Sequence, residues 1–343
     1  MSDDSNSDSA FDDDGTTGTA RALTVGRATP LIPQLLDDEV EAARAYVAAA
    51  RSPATRRAYE SDWRIFLAWC EPREIAPLPV APGAVAIFLS AEAQAGVRPS
   101  TIGRRLAAIG YMHAQAGYDP PQQQPGAVAI RNAVAGIRRT HGVTKVRKRA
   151  ADGDMLRDML RACEGDSLRA VRDRAVLAIG MAAALRRSEL VALEIDDVTI
   201  TPEGLTITIR KSKTDQEGAG ATIAIPEGRR IRPKALLLAW IAQAGFASGP
   251  LFRKLTPQGR ITARPMSDRG VALVVKARAA AAGYDPAQVS GHSLRAGFLT
   301  EAARHGATVF KMKEVSRHKS IEVLSDYVRS HELFRDHAGE RFL

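Results

Sequence analysis

Apolar residues recur at intervals of three and four through most of this chain, the spacing that gives a helix one buried face. The stretch LLDDEVEAARAYVAAA reads as an Ala-rich helix, approached through Pro30 and Pro33. In SPATRRAYESDWRIFLAWC, Ser52 sits where an N-cap is wanted and Pro53 suits the first helical position. Tyr59, Trp63, Phe66, Leu67 and Cys70 then share one face, while Arg56, Arg57 and Arg64 fall on others. A proline-rich break from Pro72 to Pro82 leads into AVAIFLSAEAQAG. RPSTIGRRLAAIGYMHAQAG repeats the pattern, with Ser100 as its cap, Ile102, Leu106 and Ile109 as its stripe, and Arg104 and Arg105 pointing elsewhere. AVAIRNAVAGIRRTHG closes an all-helical unit over residues 31–141.

The pattern then breaks. Residues 142–150 contain VTKVRKRA, four basic residues in eight with little periodicity, Lys145, Arg147 and Lys148 among them. This reads as an exposed basic linker, suited either to plain solvation or to lying along a phosphate backbone. A second unit, residues 151–343, opens with helical patterns at DGDMLRDMLRACEG and SLRAVRDRAVLAIGMAAAL and continues into RRSELVALEIDDV. LTITIRKSKTDQEGAGATIAIP alternates apolar and polar positions on both sides of a Gly-containing turn, the mark of a β-hairpin. Helical spacing returns in RPKALLLAWIAQAG, MSDRGVALVVKARAAAAG and SGHSLRAGFLTEAARHG. The predicted fold class is therefore mainly α with a small β-hairpin, an α+β chain of two units.

Composition agrees with that picture. The chain has 343 residues, 45% apolar and 25% charged, the balance of a globular protein of about two domains. An apolar run of ~18 residues is lacking, so no membrane span is expected. Residues 1–30 begin with an acidic, polar stretch without the features of a secretory signal, and are expected to be a disordered tail. Two cysteines, Cys70 and Cys163, make no disulfide framework, no cysteine or histidine cluster has zinc spacing, and both thiols read as buried and free. The expected compartment is the cytoplasm. The formal charge is +9, but the first 14 residues carry six Asp and no Lys or Arg. The remainder holds 48 basic residues against 33 acidic, a balance of +15 that points to a polyanionic partner, most simply nucleic acid.

Four fragments carry polar residues that do not resemble surface filler. In AALRRSEL, Arg186 and Arg187 follow an apolar helix, and a buried arginine there needs a carboxylate such as Glu189 or Asp173, or else an anionic ligand. In RKSKTDQEG, Lys213 falls near the hairpin tip, where an ammonium is either solvated or poised as a proton donor. In SGHSLRAG, His292 and Arg295 are three apart on one helix face, close to a helix start that can hold phosphate. In SRHKSIEVLSDYVR, Tyr327 follows His318 by nine residues and is either packing or a nucleophile. Together they form a set that phosphoryl transfer uses in full. Guanidiniums bind non-bridging oxygens in bidentate fashion. A lysine protonates a leaving oxygen, and a phenol of pKa ~10 forms a phosphodiester close in energy to the DNA backbone, so neither ATP nor a metal is required.

The ordered set ALRRSEL, KSKT, SGHSLRAG, RHKS and Tyr327 resembles the tyrosine recombinase (phage integrase) family, its Cre-type and Xer-type members in particular. The resemblance implies a helical, SAM-like core-binding domain over residues 31–141, joined by the basic linker to a catalytic domain over 151–343 and closing on DNA as a clamp. It implies that Arg186 and Arg295 contact the scissile phosphate and that His292 acts as acid, base or phosphate ligand. Lys213 is then the general acid, His318 takes the position that is His or Trp in relatives, Glu189 orients its neighbours, and Tyr327 attacks. A 3′-phosphotyrosine, a free 5′-hydroxyl and strand exchange through a Holliday junction would follow, without a cofactor. Arg56, Arg57, Arg104, Arg105, Lys145, Arg147 and Lys148 become candidate DNA contacts. The tail bearing Leu333, Phe334, Phe342 and Leu343 would dock on a neighbouring protomer, giving a homotetramer on double-stranded DNA in the nucleoid. Three positions depart from the family pattern: Ala184 and Arg317 stand where relatives usually carry Gly, and Arg187 where they mostly carry an apolar or small residue. Two other activities use the same fold: a DNA-binding regulator without catalysis, and relaxation of type IB topoisomerase kind.

Overall fold

The computed structural model describes residues 37–142, 148–210 and 220–331. The expectations for the acidic tail, Lys145, Arg147, Lys213 and the apolar residues after 331 fall outside them. The chain divides into two compact units after Lys145.

The first unit is helical: α1 (Asp37–Ala49), α2 (Pro53–Cys70), α3 (Pro82–Gln94), α4 (Pro99–Gln115) and α5 (Val128–His141). Ser52 caps α2 as its position suggests, its hydroxyl accepting from the Thr55 N–H at 3.2 Å with Pro53 as the first helical residue. Ser100 does not cap α4. Pro99, whose ring presets a helical φ, takes the first helical position, which makes Arg98 the cap and places Ser100 inside the first turn. The faces of α2 to α5 converge on a core of Trp63, Phe66, Cys70, Val85, Phe88, Leu89, Ile102, Ile109, Ile130 and Ile137. The buried His113 belongs to this core. Its Nε2 accepts from the Val80 N–H at 3.0 Å while Nδ1 lies 2.8 Å from the Ile109 carbonyl, and burial keeps it neutral by lowering its pKa.

The second unit contains α6 (Gly153–Arg161), α7 (Leu168–Ala182), α8 (Arg187–Ala192), β1 (Val198–Ile200), β2 (Gly204–Ile209), β3 (Ala221–Pro226), α9 (Pro233–Ala244), β4 (Arg253–Leu255), β5 (Ile261–Pro265), α10 (Asp268–Ala281), α11 (Ser293–Arg304), α12 (Val309–Ser316) and α13 (Ile321–His331). Mainly α with small antiparallel sheets is the observed class. The expected hairpin is β2–β3, whose register ends on the Ile209–Ala221 pair. Its alternation turns Leu205, Ile207, Ile209, Ile223 and Ile225 into the core. Strands β1 and β4, of three residues each, carry too few residues to show a period of two, and the sequence pattern reveals neither them nor β5. The main core includes the buried faces of α6, α7, α10 and this sheet, with Trp240 of α9 fully buried in it. A smaller cluster lies apart: Leu299 and Ala303 of α11, Met312 of α12 and Leu324 of α13, with Tyr327 and Val328 half-buried against it.

Helix α11 is seated by a backbone approach. The Ala151 N–H donates to the Ser293 carbonyl at 2.9 Å, and a Cβ at Gly297 would stand 1.8 Å from the Ala151 carbonyl oxygen. Alanine in place of glycine inside a helix ordinarily gains up to ~1 kcal/mol. Here the sign reverses, because backbone rather than a flexible side chain must give way. Gly297→Ala is expected to lose about 1–3 kcal/mol of stability, measured as a lower urea midpoint.

Candidate active site

The site begins where α7 ends. Ala183, Ala184 and Leu185 are buried, and Ala184 takes a left-handed φ of +46°. That backbone reversal aims the Ala184 carbonyl at Arg295, which donates to it through Nη1 at 2.6 Å. Arg186 follows as the cap of α8, and Glu189 in the first turn reaches back to accept from the Arg186 N–H at 2.8 Å. The same carboxylate accepts from Arg186 Nη1 at 2.5 Å. Of the two carboxylates the sequence offered to Arg186, Glu189 is the partner. Asp173 is held instead by Arg172 and Arg278.

Arg295 is 1% exposed. Its Nη2 lies 3.2 and 3.3 Å from the two ring nitrogens of His318, and the Ser316 hydroxyl lies 2.8 Å from His318 Nδ1. Ser316 donates its one proton to the Met312 carbonyl at 2.5 Å, so Nδ1 of His318 carries the hydrogen and Nε2 accepts from Arg295. Arg317, beside His318, turns inward and donates to Glu189 Oε2 at 2.8 Å. Tyr327 sits half-buried on α13, close enough for its ionised phenol to act on Arg295. His292 stands exposed at the cap of α11. Among the described residues, the buried Nε atoms of Arg295 and Arg317 find no acceptor.

Electrostatics divides these groups. Burial, then the neighbouring Arg186, pulls Arg295 down to about 9, with Arg317 adding to the pull while Glu189 and Tyr327 oppose it, and the guanidinium stays charged at neutral pH. Burial alone would raise the Glu189 pKa; the Arg186 N–H and the charges of Arg317 and Arg186 outweigh it and hold the carboxylate below its usual range. His318 is lowered to about 4 by burial first, then by Arg295, Arg186, His292 and Arg317. His292 reaches solvent, yet the groups packed around its ring desolvate it enough to lower its pKa, with the charges of Arg295, Arg186 and Arg187 adding to the effect. Both imidazoles are therefore neutral near pH 7, with a lone pair to give.

The candidate DNA contacts of the first unit fare unevenly. Arg57 is exposed and Arg56 is half-buried. Arg104 is not a free cation: it grips the buried Asp62 with two bonds, at 2.7 and 3.0 Å, while half its side chain stays in solvent. Arg105 is only 13% exposed and pairs with Glu92. Its sequence neighbours gave no sign of that partner, which comes from a different helix. In the second unit, Lys148 is exposed and donates to the Ala287 carbonyl at 2.7 Å. The described residues contain no group of three or more His, Cys, Asp or Glu placed to hold a metal ion. Cys70 and Cys163 are buried and free, and burial pushes the Cys163 thiol up to about 11. No helix among the described residues is long and apolar enough to cross a membrane.

Sequence reasoning treated Arg317 only as a departure from a pattern, and it missed Ser316 and the Ala184 carbonyl. The first two adjoin His318, which was a signal available to be used. A backbone carbonyl leaves no trace in a sequence.

Two outcomes follow. A histidine whose folded pKa lies below its unfolded 6.5 stabilises the fold fully above 6.5 and loses that contribution as pH falls toward about 4. Between pH 7.5 and 5 the native protein should lose more stability than His318→Gln, by chemical denaturation at each pH. At Ala184 the left-handed backbone costs roughly 1–2 kcal/mol for a residue with a Cβ, partly offset by the greater freedom of glycine when unfolded. Ala184→Gly should raise the urea midpoint with unchanged slope.

Comparison with known proteins places the chain. Residues 150–333 match the phage integrase family. The chain is 33% identical over 294 residues to the integrase/recombinase xerD homolog of Selenomonas ruminantium, covering 85% of this chain and 86% of that one. It is 28% identical over 299 residues to the tyrosine recombinase XerC of a Mycobacterium species, covering 81% and 88%. In fold it is similar to the Tn1549 transposon integrase solved with transposon right end DNA, at a TM-score of 0.60 and 15% identity over 84% of this chain and 93% of that one. It is also similar to a lambda integrase dimer bound to a core site, at 0.54 and 16% over 85% and 77%. By a domain match over more than half of its length and by a relative matched over most of both chains, the chain belongs to the phage integrase family of tyrosine recombinases.

Proposed function

We propose that this recombinase cleaves and rejoins DNA at a specific site through a 3′-phosphotyrosyl intermediate, with Arg186, Arg295, His292, His318, Lys213 and Tyr327 as its catalytic residues. The observation that carries the reading is the convergence of Arg186, Arg295 and His318 beside Tyr327, with a buried guanidinium nitrogen still lacking an acceptor. Buried cations in excess of the one carboxylate favour an anion, and a phosphodiester supplies the two non-bridging oxygens that suit guanidiniums. Positioned donors of this kind contribute on the order of 10²–10³ in rate.

In the proposed step the Tyr327 oxygen attacks phosphorus and the bond to the 5′-oxygen breaks. The phenolic proton passes to a neutral imidazole, for which His292 is the exposed candidate. Lys213 gives the leaving oxygen its proton and yields a 5′-hydroxyl. Attack by that hydroxyl, or by one from a second duplex, reverses the step, so the bond energy is conserved and neither ATP nor a metal enters. Exchange between duplexes proceeds through a Holliday junction. The domains divide as a core-binding unit over 31–141 and a catalytic unit over 151–343, and a tetramer assembles on double-stranded DNA in the cytoplasm, at the nucleoid. Relatives solved as DNA complexes support the duplex as partner.

The test is covalent capture. The protein is incubated with a library of nicked duplexes drawn from the DNA around its gene, and DNA that stays attached after denaturation is recovered. The native protein is expected to trap a defined sequence at Tyr327. Tyr327→Phe should bind the same DNA and trap none; capture by that variant would overturn the assignment. Joining of strands from two different duplexes separates recombination from relaxation, which needs only one.

A further inference from the structure

Arg317 occupies a backbone position that ill suits it. It is the residue after α12, at φ +56° and ψ +40°, where its N–H closes the helix on the Lys313 carbonyl at 2.7 Å. Glycine is the common residue at such a helix end, and a side chain there costs roughly 1–2 kcal/mol. The chain nonetheless keeps a long cation at this position, and the cation is turned inward: only 10% of the side chain is exposed.

Its contacts converge on the start of α8. Nη2 donates to Glu189 Oε2 at 2.8 Å, on the same carboxylate that holds the N–H and the guanidinium of Arg186. The Arg317 carbonyl in turn accepts from Arg186 Nη2 at 3.4 Å, and Nη1 braces the turn by donating to the Val315 carbonyl at 2.6 Å. Side chain and main chain thus both tie the α12–α13 turn to the loop before α8. His318, the next residue, is the one that receives Arg295.

The charge balance has a consequence. Three buried or half-buried guanidiniums, Arg186, Arg295 and Arg317, face one carboxylate, Glu189. Were Glu189 to face Arg186 alone, the two charges would cancel and Arg186 would bring little attraction to a phosphate. With Arg317 taking up the carboxylate's charge, the positive charge of Arg186 remains for a ligand.

We propose that Arg317 is a positioning residue of the catalytic site: by clamping Glu189 it fixes the turn bearing His318 against the loop bearing Arg186, and it leaves the charge of Arg186 to the scissile phosphate. The proposal rests on the phosphotyrosyl reading above. It predicts that the role belongs to the cation and not to the stability of the turn, since glycine would suit the backbone better.

The experiment uses the nicked duplex trapped by the native full-length protein and follows covalent attachment in a single turnover, with DNA affinity and thermal midpoint measured alongside. For Arg317→Gly we expect a midpoint equal to or above the native one, affinity within about twofold, and attachment at saturating DNA slowed ~10–100-fold, the scale of a mispositioned catalytic group. Arg317→Lys, with the same backbone cost and a cation restored, should recover part of that rate. Attachment by Arg317→Gly within about twofold of the native rate would overturn the proposal, since mispositioning costs far more. A rate loss that merely follows a lowered midpoint in both variants would overturn it too, as a structural role. If the native protein traps no duplex, the phosphotyrosyl reading itself fails, and that result is distinct from either of these.

Discussion

A guanidinium taken out of water must be met by acceptors, and in this chain that demand is made by Arg295. The cost of burying it unpaired is several kcal/mol. Two acceptors answer it from opposite directions in sequence, the Ala184 carbonyl and the His318 ring. The first requires the chain to reverse into a left-handed turn directly after α7. The second requires the α12–α13 turn to close over α11, with Ser316 holding the imidazole in one tautomer. Gly297, two residues along the helix, lets the backbone at Ala151 lie against α11. The left-handed turn at Ala184 and the Ser316–His318 contact thus both serve one buried charge.

The ionisable groups around it then fall into two sets. Arg295 remains cationic even where burial and the neighbouring Arg186 weaken it, while His292 and His318 are held neutral by burial first and then by the arginines around them. Permanent positive charge and neutral imidazole are thus separated by environment within a few residues of one another. Glu189 offsets the positive charge of this arrangement: without a carboxylate, the guanidiniums would repel each other in a largely buried site.

How far the sequence foretold this depends on the range of each interaction. Helices α2 to α5 and the β2–β3 hairpin are written in the local spacing of apolar residues, and so is the Ser52 cap. The Arg186–Glu189 pair was legible because three residues on a helix bring side chains together. Ser100 misled because two adjacent residues competed for one helix start and the proline prevailed. Arg104 and Arg105 show a different limit. Their carboxylates, Asp62 and Glu92, come from α2 and α3, and no local pattern announces a partner on another helix. The pairing of Arg295 with His318 has the same character, and only the ordered set of motifs hinted that those fragments would meet. Strands of three residues have no period to read.

The small apolar cluster beneath Tyr327 carries a consequence for motion. The free energy needed to open a segment locally scales with the apolar surface it must expose. Among the described residues, helix α13 packs Leu324, Tyr327 and Val328 against Leu299, Ala303 and Met312, and none of its side chains belongs to the large cluster that contains Trp240. Its amides should exchange with solvent well before those of α7 or β2. The phenol therefore rides on an element that exposes less apolar surface on opening than the helices of the large core, while Arg295 stays seated on α11.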